Sequence, residues 1–213
     1  MRKIGLLVKN PRKHYMLLKA MKEFNLSFID ISFEDLNKLP RSVKILLVDD
    51  PSIKEKLNSS FKIILVNEDP PEKLIFKIQS LLHGKEFFNY LIIGIDPGFT
   101  YGVMVLGDGF PIISKTFNEV DDLISFIKDI LTFCPSKERI IKIGRGGGKY
   151  LEILLKKLKK NFLNFPLKSN IELVDEASLT SISARNFAFN VDVEAAYNIA
   201  LSKGEKIKWG SKI

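Results

Sequence analysis

Residues 93–106 read IGIDPGFTYGVMVL, and the second half of the chain is read outward from them. Extended back to Tyr90, the run YLIIGID is apolar up to Ile95 and ends on Asp96, the pattern of a buried strand with a carboxylate at its exit. Pro97–Gly98 supplies a turn, and Tyr101 to Leu106 forms a second strand. Gly107, Asp108 and Gly109 signal a hairpin into a third strand, Ile112 to Phe117. A carboxylate at the end of an apolar run is costly to bury alone. A metal ion, a hydrogen-bond network or exposure at the strand end would each offset that cost for Asp96. A turn-capping aspartate before Pro97 is the plainer alternative.

Beyond the hairpins the rhythm changes. Asn118 is a candidate cap for a helix whose Val120, Leu123, Ile124, Ile127 and Leu131 share one face. Arg139 to Ile143 is a fourth strand. The helix after Gly148 presents Leu151, Leu154, Leu155, Leu158 and Phe162 together. Ile171 to Val174 is a fifth strand, and Val193 to Leu201 the last helix. Three strands joined by hairpins, then helix, strand, helix, strand and helix, is the order of the RNase H fold. There a three-stranded meander continues into two parallel strands.

The first half alternates differently. Strand-like runs at residues 3–8, 27–33, 43–48 and 61–66 are separated by helical segments at Pro11 to Phe24 and residues 34–39. A helix opens at Pro71, with Leu74, Ile75, Ile78, Leu81 and Leu82 on one face and Gly84 as its C-cap. This pattern implies a small parallel, Rossmann-like α/β domain over residues 1–85. The polar segment HGKEFFN, residues 83–89, separates it from an RNase H-like domain over residues 90–213. Asp49 and Asp50 follow the third strand of the first half, but Lys9 and Asn10 stand where a receiver domain would carry its acidic pair. A structural cap before Pro51 is the better reading. No glycine-rich loop follows the first strand, so dinucleotide binding has no support.

Ile93 to Leu106 resembles the first motif of RuvC-like Holliday-junction resolvases and the related YqgF-type proteins, in which a strand delivers an aspartate to the site. LVDEASLT, residues 173–180, is similar to the VDER-type motif of the YqgF-type proteins, with Glu176 at the acidic position and Ala177 where the family has arginine. VDVEAAYNIAL, residues 191–201, resembles their closing helix, with Asp192 as the final aspartate. The resemblance spans residues 90–204 and implies a nuclease whose Asp96, Glu176 and Asp192 hold Mg²⁺ or Mn²⁺. Glu194 is an alternative ligand, since a one-turn shift in the helix start would exchange its role with that of Asp192, and a plain N-cap at Asp192 is the competing reading. Hard cations of this kind take several carboxylate oxygens from different elements, and a pair of them can drive phosphodiester hydrolysis. RuvC-type resolvases carry a glutamate at the end of strand four. Here the corresponding KIGRGGGK, residues 142–149, has no carboxylate, as in the YqgF-type arrangement.

That glycine-rich segment lies between a strand and a helix. Gly146 and Gly147 would let backbone N–H groups approach a phosphate, with Arg145 and Lys149 adding charge. The spacing is not that of a P-loop, and a flexible turn is the alternative. KKLKK, residues 156–160, reads as the solvated side of an amphipathic helix.

Composition agrees with a partner of opposite charge. Of 213 residues, 33 are Lys or Arg and 25 are Asp or Glu, a formal charge of +8 that favours DNA or RNA. Cys134 is the single cysteine and His14 and His83 the only histidines, which excludes a thiolate zinc cluster or a disulfide framework. No apolar stretch reaches membrane-spanning length, and a cytoplasmic location is expected. The resemblance implies a homodimer, for which the sequence shows no interface signature. Three functions are therefore open: a metal-dependent nuclease on structured DNA or RNA, a non-catalytic nucleic-acid binder with a degenerate RNase H fold, or an ATP-binding protein. The last follows from the similarity of IGIDPGFTYG to the first phosphate loop of the actin and sugar-kinase group, which needs two RNase H-like halves.

Overall fold

The structure, a computed structural model, describes residues 3–57, 62–67, 69–162, 169–175 and 190–207. The chain divides into two compact units, Met1–Phe87 and Phe88–Ile213. Among the described residues no helix is long and apolar enough to cross a membrane.

The first unit is an α/β layer structure on four parallel strands, β1 (Lys3–Leu7), β2 (Phe28–Asp30), β3 (Val43–Val48) and β4 (Lys62–Leu65), in the order β2-β1-β3-β4. Helix α1 (Pro11–Glu23) starts where Asn10 accepts the N–H groups of Arg12 and Lys13, with Pro11 pre-set for the first turn. Helix α3 (Pro71–Leu82) joins α1 on one face, where Phe24 and Phe76 meet edge to face at 5.5 Å. A 3₁₀ turn (Phe33–Lys38) and the short α2 (Ile53–Lys56) serve the other face, where Leu7, Leu46, Val48 and Ile53 are buried together. Gly84 ends α3 at φ 76°, the left-handed conformation that glycine adopts without strain. The strand expected over residues 27–33 shrinks to Phe28–Asp30, because its end is taken by the 3₁₀ turn.

The second unit is a mixed sheet in the order β10-β9-β8-β5-β6-β7. Strands β5 (Phe88–Asp96), β6 (Tyr101–Gly107) and β7 (Phe110–Phe117) are antiparallel neighbours, and β8 (Ser136–Gly144) and β9 (Asn170–Val174) continue parallel to β5. The β6–β7 link is a two-residue turn in which Asp108 (φ 49°) and Gly109 (φ 85°) both take positive φ, the type I′ geometry that matches strand twist. Asp108 also fastens the neighbouring strand, its carboxylate accepting the Tyr90 N–H at 2.8 Å.

Side-chain alternation along these strands gives two faces. Helices α4 (Val120–Phe133) and α5 (Lys149–Phe162) share the face of Tyr101 and Phe117, where Tyr101 meets Tyr150 and Phe117 meets Phe126. Helix α6 (Val191–Leu201) lies on the other face, with Met104, Leu106, Val193, Ala196 and Ala200 buried as one cluster. Asn118 does not cap α4: Glu119 occupies that position, and the Asn118 side chain accepts instead from the Thr100 hydroxyl at 3.2 Å. Lys157 in the KKLKK run pairs with Asp121 at 2.6 Å, so part of the run ties α5 to α4 rather than facing solvent alone. Strand β10 (Glu205–Lys206), two residues long and antiparallel to β9, has no sequence signature.

Candidate functional site

Asp96 is the last residue of β5 and half-buried. Its register partner across the hairpin is Gly102. A Cβ built on Gly102 would stand 2.1 Å from the Asp192 carbonyl oxygen and 3.0 Å from the Asp192 Cβ. The bare glycine therefore lets the first turn of α6 rest on the sheet, bringing Asp192 beside the strand position opposite Asp96. Gly94, two residues earlier on the same face, repeats the device: a Cβ there would meet the Ala196 carbonyl oxygen at 2.2 Å and the Ala200 Cβ at 2.7 Å. Asp192, Ala196 and Ala200 are spaced i, i+4, i+8, one stripe of the helix. Ala196 and Ala200 make this contact, while Ala195 is only half-buried.

The far end of α6 is held by a charge. Lys142 of β8 pairs in register with Gly94, and its ammonium donates to the Ser202 carbonyl oxygen at 2.5 Å, where the helix dipole is negative. Only 9% of Lys142 is exposed. Burial lowers its pKa, and the Glu172 carboxylate acts in the opposite sense.

The glycine-rich loop closes another side. A Cβ on Gly147 would meet the Pro97 carbonyl oxygen at 2.2 Å, so this turn packs against the residue that follows Asp96. Gly148 has φ 50°, and α5 starts at the next residue. Lys149 is exposed, with its ammonium 5.0 Å from the Tyr150 ring centre. The Arg145 guanidinium is paired with Glu205 of β10, and its backbone N–H donates to the Val174 carbonyl at 3.0 Å. A phosphate at this loop would compete with Glu205 for Arg145.

The structure thus brings three of the sequence-derived elements together: the end of β5 with Asp96, the Gly146–Gly147 turn, and the start of α6 with Asp192. Glu194 is exposed and lies off the stripe that faces the sheet. Glu176 lies outside the described residues. Among the described residues no group of three or more His, Cys, Asp or Glu side chains is placed to hold a metal ion. Of the expected metal ligands, Asp96 of β5 and Asp192 of α6 fall on described residues.

Three residues that position the site were not singled out as such in the sequence: Gly94, Gly102 and Lys142. Two glycines on one face of a hairpin, facing alanines spaced i and i+4 in a later helix, are the signal that would have found the first two. Neither protein-family models nor curated proteins give a match to this sequence.

Proposed function

We propose that residues 88–213 form an RNase H-like domain of the RuvC and YqgF type, acting as a metal-dependent nuclease on structured DNA or RNA. The strand order supports the fold reading, since an antiparallel meander β7-β6-β5 continues into parallel β8 and β9. The observation that carries the functional reading is the seating of Asp192 on Gly102, opposite Asp96 in register. Two acids 96 residues apart in sequence are carried by neighbouring backbone at one strand end, with glycines on the sheet and Ala196 and Ala200 on the helix permitting the close approach.

In this reading Asp96 and Asp192, with Glu176, supply the carboxylate oxygens for Mg²⁺ or Mn²⁺. The ion's contribution when bound is to activate water and stabilise the leaving oxygen of a phosphodiester. Lys149 and the backbone of Gly146 and Gly147 steady a neighbouring phosphate, and Arg145 joins them by releasing Glu205. Lys142 acts at a distance by fixing α6, and so the Asp192 backbone, against the sheet.

The test is cleavage of labelled branched and single-stranded DNA and RNA by the purified full chain with Mg²⁺ or Mn²⁺. Turnover lost in both Asp96→Asn and Asp192→Asn is expected. Undiminished cleavage by Asp96→Asn contradicts the reading.

A second reading, a binding module without turnover, is favoured by one feature: β8 ends in Gly144 and runs into glycines, so the strand contributes no carboxylate. It predicts salt-sensitive binding with no metal-dependent cleavage. An ATP clamp of the actin type needs two mixed sheets, and the sheet of the first unit is wholly parallel.

A further inference from the structure

The first unit has a groove of 620 Å³, formed by the start of α1, the end of β4 and the start of α3. Arg12, Lys13 and Met16 line one wall, Lys73 and Lys77 the other, and Leu65 lies between them. Among the described residues Asp69 is the one carboxylate in the lining, and it is paired with Lys73 at 3.0 Å. Met16 and Leu65 are 40% and 42% exposed, an apolar strip left open between basic walls. The volume is that of a ligand site rather than a packing defect.

Two features say what the groove accommodates. Helix α1 opens with Arg12, Lys13 and His14 and has no acid in its first turn. Positive side chains at the positive end of a helix oppose its dipole, and an anion in the groove would relieve both. The charge is also spread rather than focused. Arg12 and Met16, like Lys73 and Lys77, are four residues apart, about 6 Å along each helix axis. The N–H groups of Arg12 and Lys13 are already taken by Asn10, so the start of α1 offers no bare backbone cradle to grip a single phosphate. Lys13 also reaches the Val66 carbonyl at 3.4 Å across the groove.

We propose that this groove binds a single-stranded nucleic acid, with backbone phosphates along the Arg12 and Lys73–Lys77 walls and bases or sugars over Met16 and Leu65. Strand-binding grooves combine basic rails with an apolar platform in this way. The proposal goes beyond the reading of the second unit and does not depend on it.

The test is fluorescence anisotropy of a short labelled oligothymidylate titrated with the full chain in EDTA, over a range of salt. Arg12→Glu/Lys77→Glu is compared with Lys19→Glu/Lys54→Glu, which changes net charge equally at exposed positions outside the groove. The groove variant is expected to bind roughly tenfold more weakly or worse, with a salt slope shallower by about 1.4, the value for two lost single-strand contacts. The control variant is expected to bind as wild type does. Wild-type affinity in the groove variant, or an equal loss in the control, overturns the proposal. So does displacement of the strand by micromolar nucleoside monophosphate, which would make the groove a small-ligand site. Asp192→Asn in the same titration separates the two readings. With Mg²⁺ in place of EDTA it abolishes cleavage if the second unit is a nuclease, and in EDTA it leaves the effect of the groove substitutions unchanged.

Discussion

Each unit places an aspartate at the exit of a buried central strand, and the two are used differently. In the first unit Asp49 follows β3 and is spent on the backbone, accepting the N–H groups of Lys9 and Asn10 at 3.0 and 2.7 Å. Its neighbour Asp50 accepts the Ser52 N–H at 3.0 Å, and the hydrogen bonds from Ser52, aided by the Lys9 ammonium, hold its carboxyl below the usual carboxylate range. These acids tie one loop to the next. In the second unit Asp96 closes β5 at a point where a glycine in the paired strand lets a distant helix deliver a second aspartate. A strand-terminal aspartate therefore says little by itself. What distinguishes the two positions is whether another element carrying an acid is admitted close to the strand end.

That contrast can be broken by substitution. The largest effect is expected on activity: Asp96→Asn or Asp192→Asn should lower metal-dependent cleavage by more than about a hundredfold, while Asp49→Asn leaves it unchanged. Comparable losses in all three would erase the difference between the units. Next comes Gly102→Val, whose side chain has no room between β6 and the Asp192 backbone. It should destabilise the protein by about 3 kcal/mol in a denaturant titration and cost activity too. A neutral result would show that α6 does not rest on Gly102.

Alkaline pH sharpens the contrast from another side, since the single cysteine belongs to the second unit. Cys134 is 1% exposed, and burial pushes its thiol up to about 12 from a reference value of 9.0. The folded thiol keeps its proton where the unfolded one releases it. This contribution to stability is whole below pH 9 and declines as pH rises toward 12, by at most about 1.4 kcal/mol per pH unit. Cys134→Ala should flatten unfolding free energy against pH across that window and leave the slope below pH 9 alone. The smallest effect is expected in the first unit: Asp49→Ala should cost about 1 kcal/mol, seen as a lower denaturation midpoint with cleavage intact.

The fold of the second unit was legible in the sequence to the extent that its elements are long and strongly patterned. The β5–β6–β7 meander follows from three apolar runs and the Asp108–Gly109 turn, whose positive φ values are those the dipeptide favours. Two of the shortest elements were not legible. Helix α2 spans four residues and β10 two, too few for a period to register. The Asn118 cap failed because a competing hydroxyl, Thr100 from the β5–β6 turn, takes the same side chain. Of the candidate site, Asp96 and Asp192 were readable through the resemblance, and the glycine-rich loop through its composition. What a local pattern could not supply is contact between distant segments: Gly94 and Gly102 reveal their purpose only once α6 is laid across them, and Lys142 only once Ser202 ends that helix above it.

The central claim is that Asp96 and Asp192 serve one metal site. Mn²⁺ binding to the full chain, followed by electron paramagnetic resonance, tests it directly on wild type, Asp96→Asn, Asp192→Asn and Asp49→Asn. Saturable binding that is lost in the first two variants and retained in Asp49→Asn is the predicted result. Equal binding by all four proteins would contradict it.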